Sequence, residues 1–140
     1  MVYLHAFVLC LQIANVVGSE LPRCPAAAVA AVEAGRAERV DPQLLLAIGW
    51  RESRWLHRCR TNGANGAWQV VGPRCAEVAE LRPAARAGAQ ALAWWQGRAR
   101  AQGLAGERAV AAYACGYSGL HGRGCGWYVR DVQRIMRGTK

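Results

Sequence analysis

Lysine is almost missing from this chain of 140 residues: 17 of its 18 basic side chains are arginine, and acidic residues number only 9. The formal charge of +9 favours anionic partners such as nucleic acid, anionic lipid or a cell-wall polymer, without choosing among them. A codon bias accounts for the arginine preference as well as a selected partner does. Low-complexity tracts are absent, so the 53% apolar content fits one compact domain with a modest core, and the length leaves no room for a second. There is no CxxC pair, and His57 and His121 stand at no regular ligand spacing. Both observations argue against zinc, and nothing else suggests a metal or cofactor. No repeated aromatic and basic motif points to nucleic acid.

At the N-terminus, Ala6 to Val17 is an apolar run broken only by Gln12 and Asn15, with small residues Val16-Val17-Gly18 before Ser19-Glu20. The run is short for a bilayer span. Residues 1–18 therefore read as a cleaved export leader and 19–140 as the domain, although the leader lacks Lys or Arg at its start. An uncleaved anchor and a buried N-terminal helix are the alternatives. Cysteine usage agrees with export: Cys24, Cys59, Cys75, Cys115 and Cys125 remain after cleavage, a number that suggests disulfides in a small exported domain. Spacing favours Cys59 with Cys75 and Cys115 with Cys125, each stabilising the fold by about 3 kcal/mol. Cys24 is then left without a partner.

The remainder is patterned as helix. Pro25 to Arg36 is Ala-rich, and Asp41-Pro42 is a helix start, because Asp caps free amides and Pro at the first helical position forfeits no hydrogen bond. Leu45, Ile48, Gly49 and Glu52 follow at i, i+3, i+4 and i+7, so the Glu52 carboxyl extends an apolar stripe. Removal from water would raise its pKa, as a general acid near neutral pH requires. The competing reading pairs Glu52 with Arg51, Arg54 or Arg58 on the surface. After Thr61 the helical period vanishes, and Asn62-Gly63 and Asn65-Gly66 predict turns in an irregular or hairpin-like lobe folded over the Glu52 end. Within that lobe Gly63 and Ala64 allow close approach, Trp68 offers a stacking face and Gln69 a two-way hydrogen-bonding group.

Three ordered blocks now stand on one chain: Val40 to Ile48 with Glu52-Ser53, then Gly63-Ala64-Asn65-Gly66-Ala67-Trp68-Gln69, then Ala111-Ala112-Tyr113-Ala114-Cys115-Gly116. Together they resemble the catalytic domain of soluble lytic transglycosylases, relatives of goose-type lysozyme, over roughly Pro25 to Ile135. The resemblance implies a mainly α, lysozyme-like domain with a small lobe beside an active-site groove. It assigns Glu52 as catalytic acid/base, Ser53 and Thr61 as site hydroxyls, Gln69 as the substrate-binding amide and Tyr113 as the tyrosine facing the glutamate. The family's Tyr-Asn-Ala-Gly is Tyr113-Ala114-Cys115-Gly116 here, and Gly124 stands near where a glutamate often precedes its Tyr-Val, matched by Tyr128-Val129.

Ordinary glycosidases need two carboxylates, roughly 5 or 6.5–9.5 Å apart, and after Glu52 no second carboxylate falls within these blocks, the next being Glu77 beyond the loop. The resemblance accordingly implies cleavage of the β-1,4 bond between N-acetylmuramic acid and N-acetylglucosamine by one glutamate, releasing 1,6-anhydro ends. Its implied partners are peptidoglycan strands and a secretion, conjugation or pilus machinery whose passage needs local opening of the wall. The mature chain would be a monomer without a membrane span. A hydrolytic muramidase and a non-catalytic cationic wall-binding protein are the alternatives. Among the remaining helices, Ala87, Ala91 and Trp94/Trp95 read as a core stripe of Pro83 to Gln102. Gly106 to Cys115 carries Tyr113, and Trp127 to Arg137 turns Tyr128, Val132, Ile135 and Met136 inward. The histidines read as surface residues.

Overall fold

The Asp41 carboxylate accepts the Gln43 amide at 2.9 Å and Pro42 opens the helix, so α3 (Pro42–Ser53) begins where the sequence predicts. In the computed structural model, which describes Met1–Lys140, this helix runs through the middle of the core. Leu45, Leu46, Ala47 and Ile48 are wholly buried; each Leu or Ile contributes about 1.5–3 kcal/mol by leaving water. Arg54 and Trp55 then adopt left-handed backbone, φ 58° and 60°, and their amides return to Trp50 O and Gly49 O at 2.9 and 3.4 Å. A left-handed Trp is uncommon. Here the indole is buried and donates to Leu46 O at 3.0 Å, which fixes the reversal and leaves Glu52 on the last turn.

Around α3 lie α1 (Val2–Val17), α2 (Cys24–Glu38), α4 (Leu81–Ala101), α5 (Glu107–Cys115), the short α6 (Tyr117–Leu120) and α7 (Gly126–Met136). The molecule is mainly α. Between α3 and α4, β1 (Ala64–Asn65) pairs antiparallel with β2 (Val70–Val71), Ala64 opposite Val71 and Asn65 opposite Val70. This is the predicted lobe. Gly66, at φ 79°, closes its turn against Val78, where a Cβ would come within 2.9 Å. Disulfides join Cys59 to Cys75 at its base and Cys115 to Cys125 between α5 and α7.

The partner of Cys24 and the core stripe of α4 differ from expectation. Cys24 has a partner, Cys10, which the sequence reading had set aside with the leader. Residues 2–17 form α1, which buries Ala6, Leu9, Ile13 and Val17 in the main core, and Gln43 Nε2 donates to Gln12 Oε1 at 3.2 Å. The opposite face of α1 remains apolar and exposed at Tyr3, Leu4, Phe7 and Leu11. Together α1 and α2 make a helical stretch, Val2–Glu38, whose most apolar window has a mean hydropathy of 1.6, long and apolar enough to cross a membrane. On α4 the core stripe is Ala85, Gly88, Ala89 and Leu92, rotated from the predicted one; Trp95 is half-buried and Trp94 exposed. Gly88 decides that rotation, because the Trp68 ring lies against it so closely that a Cβ would meet Trp68 Cδ1 at 2.8 Å.

Candidate active site

Trp68 is the pivot on which the site is assembled. Its ring is wedged between Gly49 of α3 and Gly88 of α4, and its indole N–H donates to Leu45 O at 2.7 Å. Trp68 is 0% exposed, so it is a core residue and does not line the groove as predicted; the two glycines leave room for a large flat ring between α3 and α4, which buries its apolar area there. Its carbonyl accepts the Tyr113 hydroxyl at 2.7 Å. One residue thereby locks the lobe to α3, α4 and α5.

Ser53 is corrected in the same way. It is buried, donates to Ala67 O at 2.6 Å and accepts the Leu56 amide at 3.1 Å. Its one donor is spent on joining α3 to the lobe, and the side chain is buried, so it presents no hydroxyl hydrogen to a substrate. Thr61 is exposed and Gly63 sits at the β-turn; neither contributes to the groove wall, which at that point is made by Arg60, Asn62 and Ala64. The Gly63 backbone, at φ 84°, serves the turn.

What the structure does bring together is Glu52, Ala64, Gln69 and Tyr113, around a chamber of about 370 Å³. The sequence reading missed its other walls: Arg51, the Cys115–Cys125 disulfide, Trp127 and Tyr128. Tyr128 donates its hydroxyl to Glu52 Oε2 at 2.7 Å. Its inward face agrees with the helical spacing of α7, but the sequence carries no sign that its hydroxyl reaches a carboxylate 76 residues earlier, apart from the Tyr-Val match. Tyr113, expected to face the glutamate, shares the chamber but has its hydroxyl engaged by Trp68 O. The exposed aromatic face expected of Trp68 is supplied by Trp127.

Glu52 is half-buried, and this loss of water raises its pKa above the usual carboxylate range. The Tyr128 hydrogen bond and the charges of Arg51 and Arg60 oppose the rise without cancelling it. Ion pairing with a neighbouring arginine, the competing sequence reading, does not occur. Arg51 Nε is held by Asp131 Oδ2 at 2.6 Å, and its guanidinium lies 5.2 Å from the Trp127 ring centre. Arg54 stacks on Trp50 at 3.6 Å, and Arg58 is solvent-exposed and accepts Gln69 Nε2 at its carbonyl. Asp131, also paired with Arg134 at 2.7 Å, diverts the nearest cation from Glu52. Burial pushes the hydroxyls of Tyr113 and Tyr128 well above the usual tyrosine pKa, and the Glu52 charge adds to it. Tyr128 therefore stays a neutral donor.

Gln69 is the other conspicuous group. It has a left-handed backbone, φ 51°, and its Nε2 donates to Gly66 O at 2.8 Å and Arg58 O at 3.0 Å. Oε1 is buried with no partner, an arrangement that costs free energy unless a ligand supplies a donor. His57, exposed as expected, lies 3.2 Å from Cys59 Sγ and 3.3 Å from Cys75 Sγ, but those sulfurs are bonded to each other and are not free thiolate ligands. The chamber thus combines one carboxyl of raised proton affinity, a neutral hydroxyl on it, an aromatic face and an amide acceptor. Compared with protein-family models, with curated proteins and with solved structures, the chain shows no match.

Proposed function

We propose that the protein cleaves the β-1,4 bond between N-acetylmuramic acid and N-acetylglucosamine in peptidoglycan, as a lytic transglycosylase using Glu52 alone as acid and base. The observation that carries this reading is that Glu52 is the single carboxylate on the chamber wall, half-buried, with its proton affinity raised. A two-carboxylate mechanism has no second member there, since Asp131 is committed to Arg51 and Arg134. The order of sequence blocks and the mainly α architecture with a small lobe support the same reading.

In this mechanism protonated Glu52 gives its proton to the glycosidic oxygen as the C1–O bond breaks. The acetamido oxygen of the muramic residue bonds to C1 in place of the leaving group, so positive charge at the anomeric carbon is met by the substrate itself. Glu52, now a carboxylate, takes the proton of the 6-hydroxyl while that oxygen attacks C1 and displaces the acetamido oxygen. The product is a 1,6-anhydro ring, no water is consumed, and Glu52 ends protonated. Tyr128 favours the carboxylate stage by donating to Oε2, whereas burial favours the acid stage; the two opposed influences let one group serve twice. Three disulfides and an N-terminal apolar helix suit an exported protein.

Mass spectrometry of fragments released from purified peptidoglycan tests the proposal. Fragments with 1,6-anhydro ends are expected. Reducing ends would replace the transglycosylase by a muramidase on the same site, and absence of fragments would favour a wall-binding protein.

A further inference from the structure

His57 takes no part in the chamber around Glu52. It lies exposed in the stretch between α3 and β1, with Nε2 3.2 Å from Cys59 Sγ and 3.3 Å from Cys75 Sγ. Among the three disulfides this is the one with an imidazole against both sulfurs. It is also open to reagents: Cys59 is exposed and Cys75 half-buried, whereas Cys10 and Cys24 are both buried. Arg58 and Arg60 flank Cys59 in the chain, and Arg74, which is paired with Glu77 at 2.8 Å, precedes Cys75. Cations beside a disulfide stabilise the thiolates formed when it opens.

We infer that reduction turns His57, Cys59 and Cys75 into a binding site for a thiophilic divalent cation of the zinc class, with solvent at the fourth position. The reductant is a dithiol. It attacks one sulfur to form a mixed disulfide and then closes to its own disulfide, passing two electrons and two protons to Cys59 and Cys75. The cation takes both sulfurs as thiolates and the neutral imidazole nitrogen, releasing two protons. With metal–sulfur and metal–nitrogen bonds of about 2.3 and 2.0–2.1 Å, tetrahedral angles place nitrogen and sulfur roughly 3.6 Å apart and the sulfurs about 3.8 Å apart. Nε2 already lies near the first separation. The second needs only rotation about the two Cα–Cβ bonds, from Cα atoms 5.7 Å apart. Glu77 accepts from both the side chain and the amide of Arg74, which leaves the fourth position to water. The two cysteines stand 16 residues apart, so no short motif announces the site. Cys59 bridges to Asn65, and the Gly66 amide donates to Arg58 O at 2.8 Å. A cation held there clamps the lobe in place of the disulfide, whatever reaction the chamber performs.

Titration of the chain with Co²⁺ and then Zn²⁺, before and after reduction by a phosphine that leaves no competing thiol, tests the inference. The oxidised protein should give no cobalt spectrum. The reduced protein should take up one Co²⁺ per chain, with thiolate charge-transfer absorption in the near ultraviolet and tetrahedral bands in the visible, and Zn²⁺ should displace it and raise the Tm of the reduced chain. His57→Ala, at an exposed position, should leave the Tm of the oxidised protein unchanged and weaken Zn²⁺ binding to the reduced one about 100-fold or more, because losing a ligand costs at least as much as losing a group that orients one. Unaltered affinity in His57→Ala would overturn the site, as would a cobalt spectrum that persists in Cys59→Ser/Cys75→Ser. So would a pair that the phosphine leaves closed, a reduced chain that takes up no cobalt, or uptake only after the near-ultraviolet circular dichroism of the fold is lost.

Discussion

Around Glu52 the groove wall carries two arginines, a carboxyl, an asparagine and two tyrosines; past Gln69 the groove opens into a second chamber walled by Val70, Val71, Ala91, Ala112 and Trp95. The first chamber can change the proton affinity of what lies in it. The second has almost nothing that titrates and can only hold. Substitutions in the two chambers should therefore separate turnover from affinity, with the residues beneath both affecting the two together.

The largest effect is expected from Glu52→Gln, which keeps the shape and removes the proton: cleavage of peptidoglycan should fall by about 10³-fold or more, while binding of N-acetylglucosamine oligomers persists. Equal activity of the two proteins would end the division proposed between the chambers. Tyr128→Phe should lower turnover by roughly 10- to 100-fold with little change in KM, within the ordinary range for an acid–base partner. Its pH profile carries the sharper prediction. The lost hydrogen bond favours ionised Glu52, so Glu52 should hold its proton to higher pH and the alkaline limb of the rate should move upward.

Gly49→Ala tests what lies beneath both chambers. The new Cβ would come within 2.6 Å of Trp68 Cε2, and overpacking of this kind costs about 1–3 kcal/mol. Urea unfolding should show that loss, and turnover and oligomer affinity should fall together because Trp68 precedes Gln69 and holds Tyr113. If only one of them falls, the chambers do not share this support. The smallest expected effect is on stability against pH. Because the folded protein raises the pKa of Glu52, its contribution to stability is fully present below the unfolded carboxylate range and is lost as pH rises through the folded value. Glu52→Gln, which never ionises, should equal or exceed the unaltered protein in Tm at neutral pH. The difference should shrink as the medium is acidified.

The two regions also differ in how well the sequence announces them. Asp41-Pro42, the stripe ending at Glu52 and the paired Asn-Gly turns are local signals, and each lies in the structure where its spacing places it. Residues whose roles depend on distant partners were read less well. Ser53 and Trp68 stand among site residues in sequence but turn inward, because the lobe needs them as its bolts to α3. Tyr128 reaches Glu52 only through the packing of α7 on α3, a contact that no periodicity encodes. Trp94 and Trp95 read as core from their size and spacing, and a rotation of α4, with Gly88 under Trp68, leaves Trp95 half-buried against the small cluster of Ala99, Ala109, Ala112 and Leu120 and Trp94 exposed. Helix α1 reads as a leader because a leader and a core helix are both apolar, and an apolar helix near the N-terminus suits either; its pairing of Cys10 with Cys24 becomes visible only in three dimensions.

The role given to Glu52 requires that its carboxyl still hold a proton where an ordinary glutamate has lost one, near pH ~4.3. An NMR titration of the Glu52 side-chain carboxyl, assigned by comparison with Glu52→Gln, measures this directly. A midpoint above the ordinary glutamate value, rising further in Tyr128→Phe, is the predicted result. A midpoint at or below the ordinary value, unmoved by Tyr128→Phe, would contradict it and leave the chamber without its acid.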